Sequence, residues 1–132
     1  MKAHLLIAAA AASLGLAGVA HAATAPADAT NATRNCFLSR DWQDWRGATP
    51  EKIYFRVNTH DVYEVDLSGG SNMVTDPSNH LISNQRGSNW ICTPIDLDLK
   101  ISDGHIVEPL FVKSLTKLTP EQVALIPKKD RP

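Results

Sequence analysis

Four side chains that could bind a cation or transfer a proton lie close together near the middle of the C-terminal half: Asp96, Asp98, Asp103 and His105. Residues i and i+2 of a strand point the same way, so Asp96 and Asp98 would present paired carboxylates to Ca²⁺ or Mg²⁺. With Asp103 and His105 they would form a metal-dependent or hydrolytic site. The alternative is that the carboxylates lie on the solvent face of a strand, where they discourage edge pairing.

Aromatic residues suggest a second kind of chemistry. Trp42 and Trp45 are three residues apart, so on a helical turn they would share one face. If exposed, these rings and those of Tyr54 and Tyr63 would form a stacking platform for a sugar or a peptide. The competing interpretation is core packing, because a small domain usually buries such large apolar side chains.

The two cysteines, Cys36 and Cys92, predict a disulfide if the chain is exported. The bridge would close a loop of 57 residues, which the chain-entropy estimate makes worth about 4 kcal/mol. A metal-ligating pair and a reactive thiol are the alternatives. Neither cysteine has a Cys-x-x-Cys partner or a histidine at zinc-ligand spacing.

The common catalytic signatures are absent from the sequence. It has no G-x-S-x-G, no H-E-x-x-H, no phosphate-binding glycine loop and no EF-hand spacing. No serine stands in a pattern that pairs a nucleophile with a base. These absences leave the catalytic residues unknown, and we expect no cofactor.

Alternating apolar and polar residues predict strands over 52–57 and 62–67, which would form a hairpin. A weaker strand is expected at 80–82, a long one within 90–101 and its hairpin partner within 106–118. Thr119-Pro120-Glu121-Gln122 is typical of a capped helix start, and Pro127 would end that helix. The predicted fold is mainly β: a small antiparallel sheet curled into a barrel or sandwich, with one short C-terminal helix.

The N-terminus has the pattern of a secretory signal peptide. An apolar stretch over 5–20 follows Lys2, and Ala20-His21-Ala22 is a small-x-small cleavage signature. A membrane anchor is the weaker alternative, because the stretch is shorter than a bilayer-spanning helix needs. We therefore predict a signal peptide at 1–22, a disordered tether at 23–35, one globular β-rich domain at 36–126 and a flexible tail at 127–132.

Cleavage after Ala22 would leave 110 residues, enough for one domain with a modest core. Of the 13 basic and 14 acidic residues only Lys2 would be lost, so the mature chain would carry about two negative charges. This balance has nothing to attract nucleic acid or anionic lipid. We expect a periplasmic or secreted protein with no membrane anchor after cleavage.

The globular part resembles a family of uncharacterised exported bacterial proteins, a domain of unknown function. The resemblance covers roughly 36–132 and depends on Cys36-Phe37-Leu38, the hairpin at 52–67, Trp90-Ile91-Cys92 before Asp96-Leu97-Asp98-Leu99, and Leu118-Thr119-Pro120-Glu121-Gln122. Members carry two further cysteines, where this chain has Ser71 and Leu110 or Phe111. The resemblance implies that a second disulfide has been lost as a pair and that Cys36 and Cys92 are partners. It implies a periplasmic setting but no substrate, cofactor or activity.

Three functional hypotheses follow. The leading one is a non-enzymatic periplasmic binding or structural accessory module, with a cell-envelope component as its partner. The second is a metal-dependent or hydrolytic enzyme that uses Asp96, Asp98, Asp103 and His105. The third is a carbohydrate or peptide binder that uses Trp42 and Trp45, with Tyr54 and Tyr63 as further ligand-binding rings.

Overall fold

A computed structural model of the chain describes residues 35–85 and 87–132. The predicted signal peptide at 1–22, and the predicted tether at 23–35 except for its last residue, lie outside the described residues. No helix within the described residues is long and apolar enough to cross a membrane.

Eight strands and one α-helix form the described structure. The strands are β1 (Phe37–Leu38), β2 (Trp42–Thr49), β3 (Lys52–Val57), β4 (Asp61–Ser68), β5 (His80–Ser83), β6 (Trp90–Ile91), β7 (Leu99–Ser102) and β8 (Val107–Lys117). The helix α1 spans Pro120–Leu125, and short 3₁₀ turns lie at Ser39–Asp41 (η1), Asn72–Thr75 (η2), Pro94–Asp96 (η3) and Lys128–Asp130 (η4).

Six strands form one nearly closed antiparallel sheet in the order β2-β3-β4-β8-β7-β5, and β1 pairs with β6 in a second, two-stranded sheet. The prediction of a mainly β fold with one short C-terminal helix is confirmed. Both predicted hairpins are present, as β3–β4 and β7–β8.

The core lies on one face of the large sheet. Side chains along β3 and β4 point alternately to the two faces, so every second residue of each strand faces the core. Phe55 and Tyr63 are direct cross-strand partners on this face, and both are buried. The Phe37 ring of β1 packs on Tyr63 with ring centroids 4.7 Å apart. The other fully buried core side chains are Ile53, Val57, Val65, Val74, Ile91, Leu97, Leu99 and Ile101.

Helix α1 packs on the opposite face of the sheet. Thr119 and Gln122 form the predicted capping box, since each side chain accepts a hydrogen bond from the other residue's backbone N–H. Ile126, which follows the helix, packs with Tyr54 and Val62. The sheet therefore has apolar residues on both faces at this end.

The predicted strand over 90–101 is wrong in its middle. Strand β6 ends at Ile91, η3 follows, and β7 begins only at Leu99. Pro94 occupies the first turn of η3, where the Asp96 carboxylate accepts hydrogen bonds from the backbone N–H groups of Cys92 and Thr93. This local capping competes with strand pairing.

The last residues, predicted to be a flexible tail, contain η4. The Arg131 guanidinium donates to the carbonyl oxygens of Ala124 and Ile126, at 3.1 and 2.7 Å. These contacts tie the C-terminus to α1 and the residue after it, and η4 also lies beside β2. Flexibility of 127–132 stays a prediction.

The predicted disulfide is confirmed between Cys36 and Cys92, which flank the paired strands β1 and β6. We expect Cys36→Ala combined with Cys92→Ala to lower the free energy of unfolding by about 4 kcal/mol, because the open loop gains entropy in the unfolded chain. Urea unfolding measures this loss. Reductant should lower the stability of the wild-type protein by the same amount and leave that of the double variant unchanged. If the oxidised wild type and the double variant are equally stable, the prediction is wrong.

A second prediction concerns Tyr63. Burial disfavours its phenolate and the nearby Asp61 carboxylate adds to the effect, so the pKa of Tyr63 is raised to about 12 from 10.0. The pKa of Tyr63 is higher in the folded than in the unfolded chain, so the protonated phenol favours the folded state. This contribution to the free energy of unfolding is complete below about pH 10 and is lost between about pH 10 and 12, by up to about 1.4 kcal/mol per pH unit. The chain has two tyrosines, so Tyr54→Phe leaves Tyr63 alone in a tyrosinate absorbance titration. A midpoint near that of the urea-unfolded variant would refute this assignment.

Candidate functional site

A cleft of about 520 Å³ lies beside the edge strand β2. Strand β2 contributes residues 44–47, the segment at the end of η2 contributes residues 74, 75 and 77, and η4 contributes Lys129 and Asp130. The volume is within the range of small-molecule sites. Three segments that are far apart in the sequence thus enclose one concave surface.

A β-bulge in β2 places the Trp45 ring at this cleft. Trp42 pairs with Val57 and Trp45 with Phe55, while Gln43 is the extra residue between them. Both tryptophans therefore point to the core face, although an odd spacing would separate them in a regular strand. They lie on a strand and not on a helical turn. Both are partly buried against the core, and Trp45 also lines the cleft.

Hydrogen bonds around Asp44 fix the bulge. One Asp44 carboxylate oxygen accepts from the backbone N–H of Trp45 at 2.8 Å, and the other accepts from the Arg56 guanidinium at 3.4 Å. The Asp44 carbonyl accepts from the indole N–H of Trp42 at 3.0 Å. Trp42 also stacks on Phe55, with ring centroids 4.4 Å apart. The peptide group between Asp44 and Trp45 is thereby hydrogen-bonded at both its carbonyl oxygen and its N–H.

Gly47 allows η2 to approach β2. A Cβ atom at this position would lie 1.8 Å from the carbonyl oxygen of Val74. Val74 is buried in the core, and the next residue, Thr75, lines the cleft. The absence of a side chain at Gly47 therefore sets the position of one cleft wall.

Three of the four charged residues at the cleft form ion pairs within the chain. Asp44 pairs with Arg56 at 3.4 Å, and Lys129 pairs with Asp130 at 3.2 Å. Arg46 is exposed, and within residues 35–85 and 87–132 no ion pair or hydrogen bond of its side chain is found. The cleft thus combines an aromatic surface with one cation that has no internal counter-ion.

The four rings predicted as a ligand platform do not come together. Tyr63 is buried in the core at 1% exposure, on the same sheet face as Trp42 and Trp45. Tyr54 lies on the opposite face under α1, where burial raises its pKa and the Glu64 carboxylate adds to the effect. Of the four predicted rings, Trp45 is the one that lines the cleft beside β2.

The four residues predicted for a metal site are each engaged in or near local turns. Asp96 caps η3, and the hydrogen bonds from Cys92 and Thr93 lower the pKa of its carboxyl group. Asp103 accepts from the backbone N–H groups of Ile106 and His105 in the β7–β8 turn, which likewise lowers its pKa. Asp98, with φ of 33°, joins η3 to β7.

The described part of the chain contains no group of three or more His, Cys, Asp or Glu side chains that could hold a metal ion. This arrangement gives the metal hypothesis no geometric support.

A second hollow, of about 490 Å³, is mostly apolar. Its rim includes Ile95 and Phe111, which are 86% and 68% exposed. Pro94, Leu99 and Leu110 also line it. This is the surface that a structural accessory module would offer to another protein.

Of the residues that line the cleft, sequence reasoning singles out Trp45 alone and misses Asp44, Arg46 and Gly47 of β2. Val74, Thr75 and Pro77 belong to a segment with no motif, and Lys129 and Asp130 belong to the predicted tail. One signal was available: a glycine inside a strand often marks a close approach of another backbone, and Gly47 has that role here.

Comparison with family models, with curated proteins and with solved structures finds no match to this chain.

The contact at Gly47 is testable by Gly47→Ala. The added methyl group must displace the Val74 carbonyl, so we expect a loss of about 1 to 3 kcal/mol in the free energy of unfolding, typical of overpacking. Thermal or urea unfolding measures the loss. Gln43→Ala, at an exposed position of the same strand, is the matched control and should cost less. Equal stability of Gly47→Ala and the wild type would show that the two segments do not meet as described.

Proposed function

We propose that this protein is an exported, non-enzymatic binding module, and that it holds a carbohydrate in the cleft lined by Trp45. The observation that carries the proposal is the cleft itself, which Trp45 lines together with the polar or charged residues Asp44, Arg46, Thr75, Lys129 and Asp130. Sugar rings have C–H groups on their faces and hydroxyl groups on their edges. Such a ligand packs its face on an aromatic ring and donates hydrogen bonds to polar groups at the rim.

The neighbouring groups suit this role. Thr75 lines the cleft, and so do Asp44 and Asp130, whose carboxylate oxygens can accept hydrogen bonds from hydroxyl groups. Asp44 is already fixed by Arg56 and by the Trp45 backbone, so little of its freedom would be lost on binding. A preorganised rim favours affinity for this reason.

Export is the second part of the proposal. The signal-peptide pattern at 1–22 supports it. The disulfide between Cys36 and Cys92 also supports it, because such bridges persist in oxidising compartments. We place the mature protein in the periplasm or outside the cell, where its ligand would be a saccharide of the cell envelope or its surroundings. The resemblance to exported bacterial proteins agrees with this location.

The test uses protein recovered from the periplasmic fraction, where a chain beginning at Ala23 is expected. It is titrated with trisaccharides of glucose, of N-acetylglucosamine and of galacturonic acid, while NMR follows the indole N–H signals. We expect at least one trisaccharide to shift the Trp45 signal and to remain unmodified. Trp45→Ala should weaken binding at least about tenfold, or about 1.4 kcal/mol.

The matched control is Trp90→Ala, because Trp90 is 52% exposed and does not line the cleft. This variant should bind as the wild type does. If none of the trisaccharides shifts the Trp45 signal, the carbohydrate proposal is wrong. If a trisaccharide is cleaved or altered, the protein is an enzyme and the non-enzymatic part of the proposal is wrong.

A further inference from the structure

Four charged residues line the Trp45 cleft, and they differ in whether they have a partner: Asp44, Lys129 and Asp130 do. Within the described residues Arg56 neutralises Asp44, and Lys129 neutralises Asp130. Arg46 remains without an internal partner, in contrast to Arg40, which lies next to Asp41 at 3.9 Å. Among the charged residues that line the cleft, Arg46 is therefore the one whose side chain has no ion pair within the described part of the chain.

The position of Arg46 follows from the strand. It pairs with Tyr54 on the face opposite the core, while its neighbour Trp45 points to the core face. Both nevertheless line the same cleft, because β2 is an edge strand and the cleft curves around that edge. A ligand that contacts Trp45 in this cleft would thus lie along the strand edge, to which Arg46 also belongs.

We infer that the ligand of the Trp45 cleft is an acidic carbohydrate, a sugar with a carboxylate group that pairs with Arg46. This inference rests on the proposed function and narrows its ligand class. A guanidinium group binds a carboxylate through two parallel hydrogen bonds, which gives both orientation and affinity. Neutral sugars would use the indole ring and the polar rim but would leave Arg46 unpaired.

A matched pair of ligands tests the inference: trigalacturonate and its fully methyl-esterified form, which has the same sugar stereochemistry without the charges. Affinities are measured by NMR titration of the mature protein at low and at high salt. We expect trigalacturonate to bind at least about tenfold more tightly than its ester at low salt, and this preference to shrink as salt screens the charges. The affinity of the ester should change little.

Three variants locate the effect. Arg46→Gln should bind both trisaccharides with the affinity that the wild type has for the ester, which also shows that the variant is folded. Arg46→Lys keeps the charge without the planar pair of donors and should restore part of the preference. Arg40→Gln removes an exposed arginine that does not line the cleft and should behave as the wild type does.

The outcomes distinguish this inference from the proposal on which it rests. If the wild type binds both forms equally, or if Arg46→Gln keeps the preference for the acid, the charge pairing is wrong and carbohydrate binding stands. If neither form shifts the Trp45 signal, and the neutral trisaccharides also fail, the proposed function is wrong.

Discussion

Burial of one face of the β3–β4 hairpin is the constraint on which the other strands depend. These two strands alternate regularly and have no register shift, so their core face is fixed by sequence alone. Each further strand must present its apolar residues to that same face. Where the apolar residues of a strand are an odd number of positions apart, a β-bulge with one extra residue turns them to the same face.

Two strands adapt in the same way. Trp42 and Trp45 are three residues apart, with a bulge at Gln43, and Val112 and Leu115 are three residues apart, with a bulge at Lys113. All four apolar side chains pack against the core. In both strands the extra residue is exposed. The i, i+3 spacing, which suggests a helical turn in a sequence, is here the spacing of a bulged strand.

This explains how far the sequence predicts the structure. The β3–β4 hairpin and the capped helix at Thr119 follow from local patterns, because each is stabilised by contacts between near neighbours. Strand β2 does not follow from a local pattern, because its pairing with β3 depends on the bulge. The turn η3 lies where the alternation of Ile95, Leu97 and Leu99 predicts a strand; in the structure the capping box of Thr93 and Asp96 stabilises a turn instead. Ile95 points to solvent.

The disulfide has a consequence for the integrity of the cleft. It makes residues 36–92 a covalently closed ring, which includes β2 and the segment at the end of η2. A single proteolytic cut in an exposed turn of this ring, such as the one at Pro77 and Ser78, would leave both fragments attached. The two cleft walls built by β2 and by residues 74–77 would then stay covalently tethered after the cut.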